Sequence, residues 1–235
     1  MLTTIGFDAD DTLWQNEAYF RLTQDRFLQV LVDHAEPVHL RDRLEAAERR
    51  NIAYYGFGVK GFTLSMIETA VEVTDGRVPA TVIADLIAFG RALLEHPMEL
   101  LPHARATVAA LAADFRLVLI TKGDLLHQER KLAQSGLGDL FHGVEIVSDK
   151  TESTYRRAFA RHGTGADQAM MVGNSLKSDV IPALQAGSWG VHVPQETEWA
   201  YEAAPAPADH RRFHVLKTLG DLPDLVFRLR DAPHS

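Results

Sequence analysis

Ile5-Gly6-Phe7-Asp8-Ala9-Asp10-Asp11-Thr12-Leu13-Trp14 is the stretch whose reading decides the fold. A short apolar run leads into Asp8, so the chain reads as a buried strand that ends where Asp8, Asp10 and Asp11 begin. Strands of an open parallel sheet point their carboxyl ends at the ligand crevice, which places the acids at the mouth of a site. Carboxylates crowded together raise one another's pKa unless a cation or a shared proton relieves them. As a surface turn, this arrangement would be an expensive route to solubility.

The segments after Trp14 read differently. Residues 17 to 33 place Phe20, Phe27 and Leu31 at helical spacing, and residues 39 to 54 are rich in Leu, Ala, Glu and Arg. Tyr55 to Phe62 contains three glycines and Lys60, which predicts a shaped loop. Two further helices are expected over 62 to 73 and 80 to 95, with Gly76 suited to a stop and Pro79 to a start. Four helices without an intervening strand can bury their apolar faces as a bundle. Residues 16–97 are therefore expected to be an inserted helical cap, with His96-Pro97 and the segment from Trp14 to Asn16 as its two hinges.

From Leu101 onward, strands and helices alternate. Apolar runs at 116–120, 144–147, 169–172 and 189–193 are separated by helical segments, the pattern of a parallel sheet covered on both faces. Residues 1–15 and 98–235 are expected to form this α/β, Rossmann-like core. Four apolar runs end in specific polar groups: Asp8 with Asp10, then Thr121, then Lys150, then Asn174 with Asp179. In a parallel sheet all four ends lie on one edge.

In order and type, these four sets resemble the signatures of the haloacid dehalogenase-like (HAD) superfamily, the first being Asp8-x-Asp10-x-Thr12-Leu13. The resemblance covers residues 1 to 14 and 99 to 195, and its specificity lies in the set. It implies a strand order of 5-4-1-2-3, with the cap inserted after strand one. It also implies a Mg²⁺-dependent phosphatase acting on a small phosphorylated metabolite through an aspartyl-phosphate.

Phosphoryl transfer asks for an in-line nucleophile, neutralisation of the transferring oxygens and a proton for the leaving alkoxide. Asp8 suits the nucleophile, and Asp10 suits the proton donor that later activates water. Thr121 offers a hydroxyl to the phosphoryl oxygens, and Lys150 supplies a fixed positive charge. Asp8, Asn174 and Asp179 would make a hard oxygen site for Mg²⁺, and the resemblance implies that the backbone carbonyl of Asp10 joins it. Position 174 is usually acidic in such proteins, so the neutral Asn174 leaves the division of labour with Asp179 open. Thr12 is expected to orient the loop, Asp11 to be a turn residue, and Lys60 and Lys122 to be candidates for meeting substrate.

The same parts would serve a sugar phosphomutase if the phosphoryl group returned to substrate. A non-catalytic binding or regulatory protein of this fold is a further alternative, but it would be supported by loss of the nucleophile or acid, and both are present. Haloacid dehalogenation is disfavoured because a departing halide needs no proton and Asp10 would be idle.

Composition bounds these readings. The 235 residues are 46% hydrophobic, enough for a core and a smaller module. With no cysteine there is no thiol nucleophile and no disulfide framework, which fits a reducing cytoplasm. The net charge of -8 argues against nucleic-acid or anionic-membrane partners. No targeting segment is read at the N-terminus, and the eleven histidines show no metal-ligand spacing.

Overall fold

The computed structural model describes residues 1–195 and 199–231, so positions 196–198 and 232–235 of the expected core lie outside the described residues. The chain divides into two compact units, one comprising residues 1–17, 98–122 and 128–235, the other residues 18–97 and 123–127.

The first unit is built on a parallel sheet of six strands: β1 (Thr4–Phe7), β2 (Arg116–Lys122), β3 (Gly143–Val147), β4 (Ala169–Gly173), β5 (Trp189–His192) and β6 (Phe213–Val215). Their spatial order is β3-β2-β1-β4-β5-β6, so β1 lies between β2 and β4. The expected order 5-4-1-2-3 is contained in it, and β6 extends the sheet beyond β5.

Side-chain alternation sorts the strands onto two faces. Ile5 and Phe7 join Leu117, Leu119, Met170 and Val172 in one core, beside Val108, Leu111 and Leu222. Val118, Ile120, Ala169 and Met171 form the other, with Tyr155 and Phe159 of the helix Glu152–His162. Continuous apolar runs in β2 and β4 follow from this, because both faces of each strand are covered.

Gly6 belongs to the second face. A Cβ there would lie 3.0 Å from both Met171 Sδ and a Phe159 ring carbon, so only glycine lets that helix approach β1 so closely. Gly6→Ala should cost about 1–3 kcal/mol through overpacking, read as a lowered denaturant midpoint at unchanged slope.

The second unit contains α1 (Glu17–Leu31, whose first residue groups with the sheet), α2 (Pro37–Tyr55), α3 (Val59–Val73) and α4 (Ala80–Glu95). Phe27, Leu31, Leu40, Leu44, Met66 and Leu86 are buried among them at helical spacing. Asn51 Nδ2 donates to Ser65 Oγ at 3.1 Å inside this core, satisfying a buried amide.

Tyr55 to Phe62 is not the long loop its glycines suggest. Helix α2 continues to Tyr55 and α3 begins at Val59, leaving only Gly56 to Gly58 between them. Gly61 lies within α3, where a Cβ would sit 3.0 Å from the Gly56 carbonyl oxygen, so its glycine serves close packing. Lys60 therefore stands in the first turn of α3, not on a flexible tip.

Among the described residues no helix is long and apolar enough to cross a membrane.

Candidate active site at the carboxyl ends of β1, β2 and β4

Asp8 directly follows β1, and its N–H donates to the Val172 carbonyl of β4 at 2.9 Å, continuing the ladder and fixing the side chain at the sheet edge. Only 6% of the residue is exposed. Its Oδ1 accepts from Lys150 Nζ, and its Oδ2 accepts from Thr12 Oγ1 at 3.1 Å. Burial and the neighbouring Asp179 charge push the carboxyl up to about 7, with Lys150 opposing them.

Lys150 is as buried as Asp8 and also donates to Asp179 Oδ1 at 2.7 Å. Burial alone would favour loss of its proton, but the two carboxylates outweigh that and raise its pKa, so it is a fixed cation. The other Asp179 oxygen accepts from the Ser175 N–H at 3.0 Å. This proximity depends on Gly173, where a Cβ would overlap the Asp179 carboxylate. The protein thus engages both oxygens of Asp179, which holds Lys150 and the loop after β4.

Asn174 meets the segment that follows β1. Its N–H donates to Thr12 Oγ1 at 3.1 Å. The inward end of its amide lies 3.2 Å from the Asp10 carbonyl oxygen, Asp8 Oδ2 and Thr12 Oγ1. With nitrogen inward, the amide donates to these oxygens. With oxygen inward, a carboxylate, a carbonyl and an amide oxygen converge with no proton between the first two and the third, the donor chemistry that hard divalent cations take. Among the described residues no three His, Asp or Glu side chains converge on a metal position, so any such site here is of this mixed type. His192 Nε2 donates to the Asn174 carbonyl at 2.9 Å and fixes the backbone beneath it.

Asp10 occupies a different environment from Asp8, although only Ala9 separates them. Its Oδ1 accepts from Trp14 Nε1 and Lys131 Nζ, both at 2.7 Å, and its Oδ2 accepts from Gln128 Nε2 at 3.0 Å. Burial would raise its pKa, but the Lys131 ammonium and these hydrogen bonds outweigh burial and hold the carboxyl below its ordinary range. The resting protein therefore holds Asp10 ionised and Asp8 as the more easily protonated of the two.

Thr121 is buried near the end of β2, and its hydroxyl oxygen accepts from Gln128 Nε2 at 2.6 Å. Since the amide nitrogen can only donate, the Thr121 proton stays available for another acceptor. Lys122 turns to Ser178 Oγ at 2.7 Å and Glu202 Oε1 at 2.5 Å. Lys60 lies in the helical unit, where its Nζ is 3.1 Å from Asp124 Oδ1 and its N–H is 3.4 Å from Oδ2 of the same carboxylate. Asp124 so sits at the positive end of α3, where a helix favours an anion.

Asp11 adopts the left-handed region (φ 57°) and its carboxylate accepts from the N–H groups of Asn16 and Glu17, tying the turn to the start of α1. Gln128, Lys131 and Glu202 are additional members of the site. Gln128 and Lys131 stand three residues apart on the helix Leu125–Ser135, a spacing that shares a face, but the sequence carried no sign that this face meets Asp10. Glu202 follows β5 in a stretch without periodicity, and no sequence signal marked it.

The family described as haloacid dehalogenase-like hydrolase matches residues 2–187. The crystal structure of a haloacid dehalogenase-like family hydrolase from Xanthomonas campestris superimposes with a TM-score of 0.87 at 42% identity, covering 97% of this chain and 91% of that one. A glyceraldehyde 3-phosphate phosphatase from Methanothermobacter thermautotrophicus is 25% identical over 205 residues, 83% of this chain and 87% of that protein. A ribulose-1,5-bisphosphate 5-phosphatase from Halopiger xanaduensis is 33% identical over 147 residues, 59% of this chain and 61% of that protein.

Proposed function

The chain belongs to the haloacid dehalogenase-like hydrolases, and from that premise we propose that it is a phosphatase that hydrolyses a small phosphorylated metabolite through an aspartyl-phosphate on Asp8. The observation that carries this reading is the pairing of a buried Asp8, held by Lys150, with a second carboxylate two residues on that is held quite differently. The phosphatase names of the two relatives support the substrate class.

In the proposed reaction a carboxylate oxygen of Asp8 attacks phosphorus, the bond to the ester oxygen breaks, and that oxygen takes a proton from Asp10. Asp10, again ionised, then removes a proton from the water that attacks the aspartyl-phosphate, releasing phosphate and free Asp8. The resting Asp10 is ionised, so its proton must come with substrate. A phosphate ester monoanion carries one, and the negative charge it brings raises the proton affinity of any neighbouring carboxylate.

Thr121 would donate its free hydroxyl proton to a phosphoryl oxygen, and Lys150 would offset charge on Asp8 and the transferring group. The oxygens of Asp8, the Asp10 carbonyl and Asn174 fit Mg²⁺, which would neutralise phosphoryl oxygens and orient the ester for in-line attack. Asp179 anchors Lys150 and would complete this oxygen set by turning one carboxylate oxygen to the ion. Lys60 and Lys122 remain candidates for substrate contact only if their carboxylate partners release them.

The test is turnover of an aryl phosphate and an alkyl phosphate with Mg²⁺ and with chelator. Asp10→Asn should lose about 10²–10⁴-fold on the alkyl ester and far less on the aryl ester, whose leaving group departs without a proton. Equal losses on both would remove the proton-donor role.

A further inference from the structure

β2 and β4 do not pair with each other; each pairs with β1, whose end carries Asp8 between them. Lys122, the last residue of β2, reaches Ser178 Oγ at 2.7 Å in the wide turn Leu176–Val180 that follows β4. Glu202 ties the same two segments again. Its Oε1 accepts from Lys122 Nζ at 2.5 Å and its Oε2 accepts from Ser175 Oγ at 2.5 Å. Ser175 Oγ in turn accepts from the Ser178 N–H at 2.9 Å, and the Ser175 N–H donates to Asp179.

We propose that Glu202 is a positioning residue that straps the end of β2 to the loop after β4 across the mouth of β1, and so sets the spacing between Thr121 and Asn174. A carboxylate only 8% exposed is tolerated when it is ionised and fully paired, and both oxygens of Glu202 are used. One arm of the strap acts through Lys122, the residue after Thr121. The other acts through Ser175, the residue after Asn174. A change at Glu202 therefore reaches both sides of Asp8 at once, although Glu202 lies in neither strand. This role rests on the phosphatase reading above, whereas the tie itself does not.

The test compares Glu202→Gln, Lys122→Met and the double variant. In Glu202→Gln an amide nitrogen must face either the Lys122 ammonium or the Ser175 hydroxyl, while Lys122→Met leaves a buried carboxylate without its cation. The double variant has neither fault, so it reports even if a single variant folds poorly. Hydrogen exchange of the backbone amides over 175–180, measured on metal-free protein, should quicken in all three. For aryl phosphate turnover with Mg²⁺, each single variant should lose about tenfold in kcat with KM within about twofold, and the double should lose no more than the worse single.

Losses that multiply in the double variant would overturn the strap. So would unchanged exchange, or a raised KM at constant kcat, which would make Lys122 a substrate contact and Glu202 merely its counter-ion. A wild-type protein inactive on every phosphate ester would overturn the phosphatase reading instead, leaving exchange to decide the tie.

Discussion

Asp8→Asn should abolish turnover while leaving a folded protein whose stability responds to pH differently from that of the wild type. The amide keeps the shape of the carboxylate but cannot form the aspartyl-phosphate, so a loss of at least about 10⁴-fold is expected with Mg²⁺ present. Stability supplies the second readout. Asp8 is pushed from its ordinary 3.8 to about 7 in the folded chain, first by burial and then by Asp179. A carboxyl with a raised folded pKa contributes stability that is fully present below the unfolded value and is lost as pH rises through the folded one. In chelator, the wild type should therefore lose stability between about pH 4 and 7, by no more than about 4 kcal/mol. Asp8→Asn lacks this component, so its melting temperature should fall less over the same window. Parallel pH profiles for the two proteins would contradict the burial argument, and substantial activity in a homogeneous Asp8→Asn sample would sink covalent catalysis.

Where the sequence was legible, a local signal and the tertiary environment agreed. Each of Asp8, Thr121, Lys150 and Asn174 stands at or just beyond the end of an apolar run, and parallel pairing to a common register brings such ends to one edge. The Tyr55 to Phe62 stretch misled because glycine disfavours helices in general, whereas Gly61 is needed inside α3 to clear the Gly56 carbonyl. β6 escaped notice because three residues, Phe213 to Val215, give too few alternations to mark a strand, and only pairing with β5 makes them one. The environment of Asp10 was opaque for another reason. Its expected duty as an acid does not say which way its pKa should move, and the downward direction comes from Lys131, Trp14 and Gln128, of which two arrive from more than a hundred residues away. Motif spacing describes which groups meet at a strand end, while the charge state of each depends on helix faces that the motif does not contain.

Lys150→Met should be the most damaging substitution to the fold of the site and nearly as damaging to its chemistry. The ammonium is the cation shared by Asp8 and Asp179, and it lies within a buried cluster where solvent cannot replace it. Removing one partner of a buried pair leaves uncompensated charge, at a typical cost of about 3–5 kcal/mol. The cost should be greatest in alkaline buffer with chelator. It should shrink as pH falls, because protonating Asp8 removes the repulsion that Lys150 had offset. Adding Asp179→Asn separates structure from catalysis. The double variant no longer holds two buried carboxylates against each other, so it should recover much of the stability at pH 8. Turnover should stay depressed by about 10³-fold, because nothing then offsets charge on Asp8 and the transferring phosphoryl group. Thermal melts from pH 5 to 8 and single-turnover rates on the same samples decide the matter. If the double variant regains activity along with stability, Lys150 serves only to hold the site together, and the charge offset in phosphoryl transfer must come from elsewhere.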